Sequence, residues 1–160
     1  MPGRLVLRSA LAYLVSRNLL AHAAPLMPNF GLEITPRPDL PAIVARWQRE
    51  ITEPELQAGY LAILAAADAT GCWRWLLDLR RRDELASPAL TAWVNTDFFP
   101  RLLGRYAAPV RIAFLASPLR AVLEQSPSSV AAISAIVRLE QDYFTALFTD
   151  EAAAYQWLAH

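Results

Sequence analysis

An α/β domain is the fold this sequence predicts, and three observations carry it. Short runs rich in β-branched and aromatic residues alternate with segments that are apolar at helical spacing. Serine, threonine, proline and glycine stand at the boundaries between them. The chain has 160 residues, 55% of them apolar, which suits one domain with a real core. No internal repeat or low-complexity linker divides it.

The pattern becomes regular at Phe30. "FGLEITPRP" and "AIVARWQRE" are β-like runs separated by Asp39, Leu40 and Pro41, so a hairpin is expected there. Pro36, Pro38 and Pro41 place the first strand at a sheet edge, because proline cannot donate to a ladder. In "TEPE", Thr52 and Glu55 have capping-box spacing and Pro54 sits in the first helical turn. Leu56, Tyr60, Ile63, Leu64 and Ala67 follow on one helix face, and Gly71 is a natural stop. "CWRWLLDLR" reads as a strand covered on both faces.

Ser87 and Pro88 then begin a second helix, with Leu90, Trp93, Val94, Phe98 and Leu102 on its apolar side. Pro100 should kink or split that helix, and Gly104 should end it. "PVRIAFLAS" is the next strand. "VAAISAIVRLEQD", capped by Ser128 or Ser129, is expected to be helical, with Val130, Ile133, Ile136 and Val137 on its buried face. "DYFTALFTD" supplies a last strand, and Thr149 or Asp150 caps a terminal helix holding Ala153, Ala154, Trp157 and Leu158. The resulting order, β-β-α-β-α-β-α-β-α, implies parallel pairing beyond the hairpin.

Residues 1–29 form an N-terminal extension to the 30–160 domain. Its first 26 residues carry Arg4, Arg8 and Arg17, and no acid precedes Glu33. It reads as a secretory signal interrupted by Arg17, as an organelle presequence, or as an extension from a start codon placed too early, since Met27-Pro28 repeats Met1-Pro2.

Composition removes several function classes. Fifteen basic residues, all arginine, balance fifteen acids, which argues against general nucleic-acid binding. No run of apolar residues is long enough to span a membrane. Cys72 is alone, and its tryptophan neighbours suggest a small buried hydrophobe. With only His22 and His160, a Ser-His-Asp triad or a multi-histidine zinc site is hard to build, so no metal, cofactor or catalytic set is expected. Five glycines provide neither a P-loop nor a dinucleotide fingerprint.

Three groups of residues remain as candidates. Arg80, Arg81 and Arg82 follow a strand end and precede the helix at Ser87, an arrangement that suits an anion or a partner contact. Asp78, Asp83 and Glu84 flank them and could neutralise them, and a run of mixed charge leaving a strand is usually a solvated loop. Trp93, Phe98 and Phe99 on the kinked helix either pack in the core or form an apolar pocket or patch. Asp78, Asp97 and Glu124 could do acid–base work only if the fold brings them together.

"WLLDLRRRDELASPALTAWVNTDFFPRL", followed by a strand, a Ser-Pro pair and the terminal "FTDEAAAYQWL", resembles bacterial SpoIIAA-like proteins, relatives of the STAS domains of anti-sigma-factor antagonists. The resemblance covers about residues 30–160 and lies mainly in pattern and element order. It implies a mixed sheet of about five strands with helices mainly on one face, and a regulatory role without catalysis. In the antagonists a Leu-Asp-Leu strand leads to an Asp-Ser-Ser-Gly motif whose first serine is phosphorylated. Leu77-Asp78-Leu79 matches the strand, and Ser87 has a similar separation from the aspartate. Ala86-Ser87-Pro88-Ala89 departs from the motif, which puts the switch in doubt.

The leading expectation is a non-catalytic, cytoplasmic STAS-like regulatory or protein-interaction module, with Ser87 as the candidate phosphorylation switch. Its partner would be another protein or a second copy of the chain, not nucleic acid. The alternative is a carrier or sensor of a lipophilic small molecule in an apolar pocket, as the similarity of the implied fold to the CRAL-TRIO lipid carriers suggests.

Overall fold

The computed structural model describes residues 31–124 and 143–160. The N-terminal extension, and the helix expected over 130–142 with its caps, lie outside them. Among the described residues a mixed sheet has five strands: β1 (Leu32–Arg37), β2 (Ala42–Trp47), β3 (Arg74–Asp78), β4 (Val110–Leu115) and β5 (Tyr143–Phe148). Their spatial order is β1-β2-β3-β4-β5, with β1 and β2 antiparallel and the other pairs parallel. The proline-bearing β1 is at an edge, as its missing donors require.

Helix α1 (Glu53–Thr70) begins on the capping box, in which the Thr52 amide donates to Glu55 Oε2 at 2.8 Å. It ends at Gly71, whose φ of +66° is the left-handed conformation glycine adopts without strain. Helix α2 (Pro88–Trp93) is capped by Ser87 and continues into a wider turn over Val94–Phe98, where the Phe99 amide reaches Val94 O. A tight 3₁₀ turn over Phe99–Leu102 follows. The anticipated split at Pro100 takes this form. Proline has no N–H and collides with the carbonyl four residues back, and the wide turn gives its ring room. The turn also shifts the helical phase, so Phe98 and Phe99 are both buried.

Two further helices lie among the described residues. Helix α3 (Pro118–Glu124) was not anticipated from the sequence. Ser117 Oγ accepts the Arg120 amide at 3.2 Å at its start, the same Ser-Pro opening that marks α2. Helix α4 (Glu151–Ala159) is capped by Asp150, whose carboxylate accepts the Ala153 amide at 2.7 Å.

The sheet grows in one direction from β2 to β5. Right-handed crossovers in such a sheet place their helices on a single face. On that face α1 and α2 cover a core of alternate strand residues, including Trp47, Trp75, Leu77 and Ile112. Tyr60, Phe98 and Trp75 join in a chain of tilted aromatic contacts. Helix α4 follows the last strand and covers the opposite face, where Ala154 and Leu158 pack on Val44, Leu76, Ala113 and Leu115. Helices thus lie mainly on one face. Every residue of "WLLDL" is buried between the two layers.

Candidate functional site

The three consecutive arginines have three different fates. Arg80 turns to the α4 face and pairs with Asp78 at 2.7 Å and Glu151 at 3.0 Å. Arg46, the register partner of Asp78 on the neighbouring strand, reaches the same two carboxylates at 2.5 and 2.6 Å. This four-membered network ties the end of β3 to the start of α4. Burial alone would push the Asp78 carboxyl up, but its bonds to Arg80 and the charges of both arginines bring it below the usual range. Glu151 is held low chiefly by its bond to Arg46, against a smaller opposing effect of burial. Arg81 is exposed and donates to Gln48.

Arg82 goes to the other face and is buried at 5% exposure. There it lines a pocket of about 300 Å³. Leu56 and Tyr60 of α1 and Leu90, Val94 and Asn95 of the α2 segment form one wall. Leu79 and Phe114 lie on the sheet side, and Thr145 and Leu147 of β5 extend it. Arg120 and Glu124 of α3 close the third side. Desolvation pushes the Tyr60 hydroxyl up to about 12.

The arginine pair in this pocket is asymmetric. Arg120 is well provided for: its guanidinium donates to the Arg82 and Glu84 carbonyls at 3.0 and 2.6 Å and to Glu124 at 3.1 Å. Arg82 forms no side-chain hydrogen bond to any described residue, and its Nε is buried without a partner. The nearest carboxylate oxygen, Glu50 Oε2, is 3.6 Å away, while the other oxygen of Glu50 accepts the Asp83 and Glu84 amides. Burial, followed by the like charge of Arg120, lowers the proton affinity of Arg82, although an arginine stays protonated. Asn95 Oδ1 is a second buried polar atom without a partner among the described residues.

Ser87 is a helix cap whose Oγ accepts the Leu90 amide at 3.0 Å. Among the candidate aromatics, Phe99 lines the pocket, Phe98 is buried beneath it at 0% exposure, and Trp93 stacks on Phe98 in the adjoining core. The acidic trio is not assembled: Asp78 belongs to the α4 face, Glu124 to the pocket, and Asp97 is exposed beside Thr96. Cys72 is half-buried, not fully buried, with its thiol against the Pro41 and Arg74 carbonyls and pushed up by desolvation.

Among the described residues no cluster of His, Cys, Asp and Glu could hold a metal ion, and no helix is long and apolar enough to cross a membrane. Asn95, Phe114 and Arg120 have no signal of their own in the sequence, and Leu79 figures there only in the Leu77-Asp78-Leu79 strand match. The Ser117-Pro118 pair was the one signal that could have placed Arg120, by starting a helix three residues before it. Comparisons of the chain with family models, curated proteins and solved structures give no match.

Proposed function

We propose that the protein is a non-catalytic binding module that receives a small lipophilic molecule in the pocket between α1, α2, α3 and the β3–β5 face. The carrying observation is the pocket itself. Its volume falls at the lower end of the roughly 300–1,000 Å³ of small-molecule sites, and its lining is mainly apolar with a few polar groups. The wide turn of the α2 segment contributes Val94 and Asn95 to the wall, and such turns are frequent at functional sites.

The neutral dye N-phenyl-1-naphthylamine provides the test. Its fluorescence should rise on mixing with the purified full-length chain. Thr91→Trp, which fills the pocket from its α2 wall, should lower dye affinity at least tenfold with an unchanged circular dichroism spectrum. Equal binding by this variant, or no binding by the wild type, would refute the reading.

A regulatory, protein-interaction role is the second reading. The resemblance of residues 75–102 and 148–158 to SpoIIAA-like proteins supports it, as does the row of exposed Leu119, Val122 and Leu123 on α3. The phosphoserine form of this reading is less favoured, because Ser87 Oγ already caps α2, Arg80 and Arg81 are bonded elsewhere, and Arg82 is buried in the pocket wall.

A further inference from the structure

We propose that the pocket's ligand is a lipophilic carboxylic acid, its carboxylate bound by the Arg82 guanidinium and its hydrocarbon part against Leu56, Leu79, Leu90, Val94 and Phe114. The inference rests on the ligand-binding reading above and names the chemical class of the ligand.

The argument begins with what a buried guanidinium requires. Arginine cannot shed its proton, and a charge removed from water needs acceptors to replace its hydration. Arg120, in the same wall, has three acceptors. Arg82 has no hydrogen-bond acceptor among the described residues, only a long ion pair to Glu50 at 3.6 Å, yet it is as deeply buried, and it faces the like charge of Arg120. The acids around the pair are already committed. Glu124 accepts from Arg120, Glu84 is exposed, and Glu50, whose Oε1 takes two loop amides, leaves its Oε2 3.6 Å from Arg82 Nε, beyond hydrogen-bonding distance. A carboxylate in the pocket would supply the acceptors that the planar guanidinium fork matches in two parallel bonds. Asn95 adds a second polar contact, since its amide can present either end to the ligand. The rest of the lining is apolar and leaves a hydrocarbon body as the matching remainder.

The test is displacement of N-phenyl-1-naphthylamine from the full-length chain by decanoate, decan-1-ol and methyl decanoate, which share a chain length and differ at the head. Decanoate should displace the dye at least tenfold more effectively than the alcohol or the ester. Arg82→Gln should remove that advantage, so that decanoate and decan-1-ol displace the dye from the variant within twofold of each other. Equal displacement by all three compounds would overturn the carboxylate assignment and leave the pocket reading standing. An undiminished preference for decanoate in Arg82→Gln would overturn the role of Arg82. Failure of the wild type to bind the dye would remove both proposals together. The wild-type series decides the ligand class even where the variant does not fold.

Discussion

Asp78, with a 9% exposed side chain, is held between two arginines on the α4 face. Hydrogen bonds to charged groups contribute roughly 1.5–3 kcal/mol, less where solvent screens one partner, as at the 41% exposed Arg80. Asp78→Asn should therefore cost about 2 kcal/mol in urea unfolding at pH 7. The sign of the pH effect follows from the depressed Asp78 and Glu151 carboxyls. Their stabilisation is complete well above the unfolded carboxyl values of about 4 and is lost as pH falls through the lower folded ones. Wild-type stability should drop below about pH 4, and Asp78→Asn should show a shallower drop; parallel pH profiles would rule out this role. The composition of the run gave no means of separating Arg80 from Arg82. Their fates depend on how the chain turns after β3, where the Arg82 amide bonds Leu79 O.

At the scale of the element, α2 depends on its first residue. Ser87→Ala removes the acceptor for the Leu90 amide and should lower stability by about 1 kcal/mol. Ser87→Asp should restore most of it, because a carboxylate also caps and favours the positive end of the helix. If the alanine variant unfolded at the wild-type urea midpoint, the cap would be energetically idle. The Ser-Pro signal was legible here and equally present at Ser117-Pro118, where α3 went unread because its seven residues are too few to display a periodicity. The wide turn was not legible at all. Proline announces a break, but whether the break is a kink, a 3₁₀ turn or a widened turn depends on the packing of Phe98 and Phe99 against the sheet.

At the scale of the whole molecule, one sheet serves two cores. The alternation of strand and helix made the element order readable, and the crossover rule explains why α1 and α2 share a face. That α4 lies on the other face has no counterpart in the periodicity of "EAAAYQWLA"; the match of Ala154 and Leu158 to Val44, Leu76, Ala113 and Leu115 decides it. Because both cores lean on the same strands, they should melt as one unit. Leu158, fully buried under α4, tests this: Leu158→Ala should cost about 2–5 kcal/mol. Tryptophan fluorescence, to which Trp47, Trp73, Trp75 and Trp93 contribute from the first core and Trp157 from the second, should shift in a single transition together with far-ultraviolet circular dichroism. Two separated transitions would show that α4 unfolds independently.

The unreversed strand order bears on how the chain acquires its fold. Each strand pairs with the one synthesised immediately before it, and loop closure for each addition spans no more than a single connection. Among the described strands none that emerges late has to insert between strands already joined. The sheet can therefore lengthen by one strand at a time as the polypeptide leaves the ribosome, with its open edge passing from β2 to β3, to β4 and finally to β5. On that route each new edge is open to mispairing until the next strand joins it, and a slowed ribosome would prolong the exposure.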